Sequence, residues 1–210
     1  MPFSKSLAAT ALAIILGLAS SAHAGVIIDA GPQSNQQDFL TGNYVAGTEF
    51  TLRSSLLVDG LGWLDAEGNG LTGIHTVGLW DAAGSLLAQA VVNNASTQIL
   101  SAQGTALWFV TEISDLLLAP GTYRVAGTAN ADNVALSNNK IGNGVGLSSG
   151  YVRTDFPNGG FAYPNLSFGS EAIRATLTSD VFGSHNVPEP GSLLLAGLGL
   201  AALGLTRKRR

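Results

Sequence analysis

Ile74-His75-Thr76-Val77-Gly78-Leu79-Trp80, Asp81-Ala82-Ala83-Gly84 and then Leu86-Leu87-Ala88-Gln89-Ala90-Val91-Val92 carry the clearest fold signal in the sequence. Two short apolar runs, too short for independent helices, flank a connector with Asp first and Gly last. That order is the signature of a type I turn, so the stretch reads as strand, turn, strand.

The same grammar recurs outward in both directions. Candidate strands are Val26–Asp29, Tyr44–Phe50, Leu56–Leu64, Ala106–Ile113, Thr122–Thr128, Gly160–Phe168 and Glu171–Thr178. Tyr123 and Val125 share one face of their run while Arg124 takes the other; Ile173, Ala175 and Leu177 oppose Arg174 and Thr176. Ala119-Pro120-Gly121-Thr122 carries a type II signal, and Asn69-Gly70 and Asn158-Gly159 mark further turns. Gly142–Gly150 (GNGVGLSSG) reads as a mobile loop. No stretch of this region has a sustained helical period with caps. The expected fold is therefore all-β, a single antiparallel β-sandwich of jelly-roll or immunoglobulin-like form over residues 25–184.

Composition narrows the function. The 210 residues include no cysteine, which excludes disulfide staples, thiol catalysis and thiolate metal sites. The net charge of −4 hides a split between ends and middle. Between Gly25 and Val187 five basic residues face thirteen acidic ones, a balance of −8. Such a surface disfavours nucleic acid as a partner.

The two ends carry targeting signals. Lys5 precedes the apolar run Leu7–Leu18, and Ala22-His23-Ala24 places small residues where a signal peptidase needs them. Residues 1–24 are thus expected to form a signal helix, cleaved between Ala24 and Gly25 after export through the Sec machinery. At the other end, residues 185–210 contain Val187-Pro188-Glu189-Pro190, the uncharged run Gly191–Thr206 and the cluster Arg207-Lys208-Arg209-Arg210. The prolines forbid helix and present an extended peptide. Residues 191–206 reach only about 24 Å as a helix, a marginal transmembrane span. The basic cluster resists translocation, which holds the chain in the inner membrane with its domain outside.

These three parts, in this order, resemble the PEP-CTERM sorting signal of Gram-negative bacteria. The resemblance implies processing near Val187–Pro190 by an exosortase, a membrane-embedded cysteine transpeptidase-like enzyme. It further implies delivery to the cell surface and association with extracellular polysaccharide or biofilm matrix. Within the middle, Leu61–Val92 is similar to an uncharacterised β-sandwich domain of such proteins. His75, Thr76, Val77, Gly78, Leu79, Trp80, Asp81, Gly84, Leu86, Leu87 and Ala88 carry the likeness, which supports the fold and brings no activity.

Few residues invite chemistry. After signal removal only His75 and His185 remain as histidines, and no Gly-x-Ser-x-Gly is present. His75 is therefore read as a structural histidine hydrogen-bonded within the hairpin. Asp65, Glu67 and Asn69 alternate ahead of Gly70 like the opening of a calcium loop, though Thr76 stands where the closing Glu belongs. They are read either as a structural calcium site or as an acidic hairpin loop; no other cofactor is expected. Trp80 and Trp108 are expected in the core. Tyr151, Phe156 and Tyr163 lie in a Gly- and Asn-rich region and are the candidates for a carbohydrate platform. The leading expectation is a non-enzymatic, surface-sorted matrix component. Its rivals are a carbohydrate-binding module, which needs those rings exposed in a row, and a glycoside hydrolase, which needs two carboxylates across a cleft.

Overall fold

A computed structural model of the protein describes residues 25–38, 44–129, 131–132, 134–148, 150–155, 160–169 and 172–182. The expected signal helix and transmembrane helix fall outside them. Among the described residues every regular element is a strand, and every pairing is antiparallel.

Two large sheets dominate. The first contains β1 (Gly25–Val26), β5 (Leu56–Asp65), β8 (Thr97–Leu100), β9 (Leu107–Leu118) and β16 (Ala175–Ser179), in the order β1-β16-β5-β9-β8. The second contains β4 (Tyr44–Leu52), β6 (His75–Asp81), β7 (Leu86–Val92), β10 (Gly121–Thr128), β14 (Tyr151–Asp155) and β15 (Leu166–Phe168), ordered β15-β14-β4-β10-β6-β7. β13 (Val145–Leu147) adds to β4. Two small ladders complete the set: β2 (Ile28–Ala30) with β12 (Lys140–Gly142), and β3 (Asn35–Asp38) with β11 (Val134–Ser137).

One core lies between the large sheets. Leu61, Trp63, Phe109 and Leu177 come from the first, and Phe50, Val77, Leu79 and Val125 from the second. All eight are essentially without solvent contact, and each stabilises the fold by about 1.5–3 kcal/mol before chain entropy is charged against it. Trp63 fits because Gly127 faces it; a Cβ there would lie 2.8 Å from the indole ring.

The first sheet is covered on its outer face too. Leu64, Trp108, Val110, Leu136 and Ile173 form a second core there. This explains why β5 is buried without interruption from Val58 to Asp65. Alternation marks a sheet with one wet face and vanishes when both are dry. For the same reason Arg174 and Thr176, read as the face opposite Ala175 and Leu177, are buried too. Thr176 Oγ1 donates to the Ile28 carbonyl at 2.7 Å, tying β16 to the N-terminal segment.

The β6–β7 hairpin forms as expected. Gly84 N–H donates to the Asp81 carbonyl at 3.1 Å, and Gly84 adopts φ +87°, a conformation glycine allows without strain. The Asp81 carboxylate accepts from Ala83 N–H (2.9 Å) and Ser85 N–H (2.8 Å). These bonds, led by Ser85, hold its pKa below the usual value.

Three expectations are corrected. Residues 142–150 are not simply a loop: Val145 and Leu147 pair with Leu52 and Phe50 and pack on the core. The corner at Pro120–Gly121 is not type II, because Gly121 is already strand and has no positive φ. It is fastened instead by the Tyr123 hydroxyl, which donates to the Ala119 carbonyl at 2.8 Å. Finally, of Gly160–Phe168 only Leu166–Phe168 is strand. Residues 160–165 carry Phe161 and Tyr163, which pack against Trp80 on the outer side of the second sheet.

Candidate functional sites

Asp65 closes β5 with its side chain buried. Its Oδ1 accepts from Glu67 N–H (3.2 Å) and Gly68 N–H (2.9 Å), and its Oδ2 from Gly70 N–H (2.7 Å). Both oxygens are turned to backbone donors, so the carboxylate shapes the loop. Gly68 and Gly70 take the positive φ values, +69° and +100°, that the tight turn needs. Glu67 and Asn69 are exposed, with Asn69 Nδ2 donating to Glu67 Oε2 at 3.4 Å. No group of three or more His, Cys, Asp or Glu among the described residues could hold a metal ion. The acidic hairpin loop is the alternative this geometry favours.

The aromatic candidates separate. Tyr151 is buried and stacks on Phe168 (centroids 5.0 Å apart, planes 16°) in a cluster with Ala135 and Ala172. Tyr163 belongs to a different cluster, edge-on to Trp80 at 6.4 Å, with the Arg124 guanidinium 5.1 Å from its ring centre. Arg124 is held there by Glu49, whose Oε2 lies 2.9 Å from Nε, and by the Pro164 carbonyl. Tyr151 and Tyr163 thus form no common exposed row, contrary to the platform expectation. The physical reason is coverage by partners remote in sequence. Phe156 lies outside the described residues. Trp80 and Trp108 are buried as expected.

His75 opens β6 and is fully enclosed. Its ring stacks on Trp63, 4.5 Å between centroids and 13° between planes. Nδ1 lies 2.7 Å from the Thr128 carbonyl and Nε2 2.7 Å from Asp132 Oδ2. Asp132 also accepts from Thr72 N–H (2.8 Å), Thr72 Oγ1 (2.7 Å) and Gly73 N–H (3.3 Å). Burial raises the Asp132 pKa, but the hydrogen bonds from His75 and Thr72 outweigh it and lower the value to about 2. A general base needs a free nitrogen within reach of a substrate. Both nitrogens here are engaged and the ring meets no solvent, so the pair ties the β6 entry to the β10 exit. The structural histidine of the sequence reading is present, but its bonds leave the hairpin: they go to the Thr128 carbonyl and to a carboxylate 57 residues away that no local pattern announced.

Two further carboxylates, Asp29 and Asp59, are buried and have partners that no local pattern announced. Asp29 Oδ1 accepts from Ala30 N–H (2.7 Å), Ser101 Oγ (2.6 Å) and Trp108 Nε1 (2.7 Å), and Oδ2 from Ala102 N–H (2.9 Å). Asp59 accepts from Thr178 Oγ1 (2.7 Å), Val181 N–H (2.6 Å) and Phe182 N–H (2.9 Å). Each bonds main-chain donors distant in sequence, work that disulfides do in many exported domains.

Of the expected targeting residues, Gly25 opens β1 opposite Ser179. Ala22, Ala24, Val187, Pro188, Glu189, Pro190 and Arg207, Lys208, Arg209, Arg210 lie outside the described residues. No curated protein and no solved structure matches the chain. Residues 186–210 match the PEP-CTERM protein-sorting motif, and with that tail the chain is an exosortase substrate, a bacterial protein exported and sorted to the cell surface.

Proposed function

We propose that the protein is a non-enzymatic component of the extracellular polysaccharide matrix, delivered by its sorting tail, with the β-sandwich as structural or interaction cargo. It leaves the cytoplasm of a Gram-negative cell through Sec, loses residues 1–24, and pauses in the inner membrane on residues 191–206 with Arg207–Arg210 inside. The exosortase then releases it near Val187–Pro190.

The observation that carries this reading is the sorting motif itself. The state of the buried acids and the histidine supports the absence of catalysis. Asp29, Asp59, Asp65 and His75 are all enclosed and bonded to structural partners. The separation of Tyr151 from Tyr163 weighs against the sugar-platform alternative.

The test uses the native host. Wild-type chain and a chain lacking residues 187–190 are compared in membrane, medium and matrix fractions. The wild type is expected in the matrix and the deletion in the membrane. Purified mature protein incubated with matrix polysaccharide is expected to leave its chain length unchanged. Shortened polysaccharide, or equal matrix recovery of both chains, would overturn the proposal.

A further inference from the structure

Among the described residues the second sheet ends at β7, whose only neighbour in the sheet is β6. Thr76 N–H donates to Thr128 Oγ1, on the β10 side, and the Val91 carbonyl opposite Thr76 takes the Thr111 hydroxyl at 2.9 Å. The Thr76–Val91 pair is therefore the non-hydrogen-bonded kind, and the main-chain groups of Val91 and Gln89 point away from the sheet. The Val91 carbonyl is taken by Thr111 of β9, whereas no bond to the Gln89 N–H or C=O is formed among the described residues, so the middle of the edge is what another strand can pair with.

Natural edges are blunted with charge, proline or brevity. Leu86–Val92 has no charged residue, proline or glycine. The shift in register at Leu79/Trp80 is the one irregularity, and Leu86 and Leu87 beside it are both exposed. Of seven large apolar side chains exposed among the described residues, four are Ile74, Leu86, Leu87 and Val91, in or beside this hairpin. The chemistry of the strand is also symmetric about Gln89: Ala88 mirrors Ala90, Leu87 mirrors Val91 and Leu86 mirrors Val92.

A strand symmetric about one residue is complementary to its own reverse. Paired antiparallel across a two-fold axis at Gln89, each apolar residue meets an apolar residue and the Gln89 amides meet each other. We propose that β7 is a self-association edge whose partner is β7 of a second copy of this chain, joining two sheets into one. The contact is isologous, so it uses up the β7 edge of both copies and closes as a dimer.

The chain has no cysteine, which makes the test direct. Gln89→Cys places a thiol on the axis, where paired strands bring Cα atoms about 5.5 Å apart, within disulfide range. Ser54→Cys, exposed away from the edge, is the control. Gln89→Lys sets like charges face to face and should weaken association by about a hundredfold or more. Gln89 is exposed, so these variants keep the fold, which circular dichroism checks. The mature exported protein is expected at twice its monomer mass by light scattering, with rapid cross-linking at 89, little at 54, and monomers for Gln89→Lys. A monomeric wild type overturns the proposal. So does a dimer that Gln89→Lys leaves intact, or cross-linking no faster at 89 than at 54.

Discussion

Replacing Asp29 by Asn tests whether buried carboxylates do the stapling in this cysteine-free fold. The side chain keeps its volume, so no cavity opens. Oδ1 can still face Ala30 N–H, Ser101 Oγ and Trp108 Nε1, but the amide nitrogen replaces Oδ2 and meets Ala102 N–H donor to donor. One buried bond is lost with its donor stranded, at about 1–3 kcal/mol, and three others lose charge assistance. Non-additivity holds the sum near 2–4 kcal/mol. For a domain of this size that lowers Tm by about 5–12 °C. Asp29→Ala strands all four donors and takes a large part of the usual 5–15 kcal/mol of stability, so it is the poorer probe. Thermal unfolding followed by near-ultraviolet circular dichroism reads the shift. Glu67→Gln, at an exposed side chain whose bond among the described residues is to Asn69 at 3.4 Å, should move Tm by no more than about 2 °C. An Asp29→Asn melt as close to wild type as that control would refute the stapling argument.

Asp132 supplies an acid-dependent prediction. Its folded pKa of about 2 lies below the ordinary 3.8, so its stabilisation is complete above the ordinary value and is lost as pH falls toward 2. With solvent screening discounted the effect is about 1 kcal/mol. The gap in urea midpoint between wild type and Asp132→Asn should therefore narrow between about pH 5 and pH 2; a constant gap would contradict the assignment. Asp59→Ala removes the acceptor of Val181 and Phe182 N–H, and hydrogen exchange at those amides should quicken about tenfold or more while the β6–β7 hairpin stays protected. Unchanged exchange would mean that the carboxylate does not hold this end of the fold.

What could be read without coordinates was local. The hairpin at 74–92 was legible because its turn chemistry and its runs lie within twenty residues of one another. Tyr123, Val125 and Arg124 took the expected faces because the outer face of β10 carries the partly exposed Arg124. Where alternation failed, at Arg174 and Thr176, the cause was a second core laid over the first sheet by segments near residues 28 and 136. β11, β12 and β13 are three or four residues long, and their partners lie roughly a hundred residues earlier, so no window could show them. Tyr151 looked exposed for its Gly-rich neighbourhood and is buried by Phe168, Ala135 and Ala172. The acidic loop at 65–70 was legible as a turn, while the saturation of Asp65 by amides depended on backbone conformation that residue types alone do not specify. The sorting tail was the most legible feature because its information is its order of residue types, independent of any fold.

Sorting through the tail requires that the chain be cut there on the way out. Intact mass analysis of the protein recovered from outside the cell tests it most directly. The expected C-terminus lies near Val187–Pro190, with residues 191–210 gone, and the uncut form is expected in membranes when the exosortase is removed. An external product that still ends in Arg210 would contradict it.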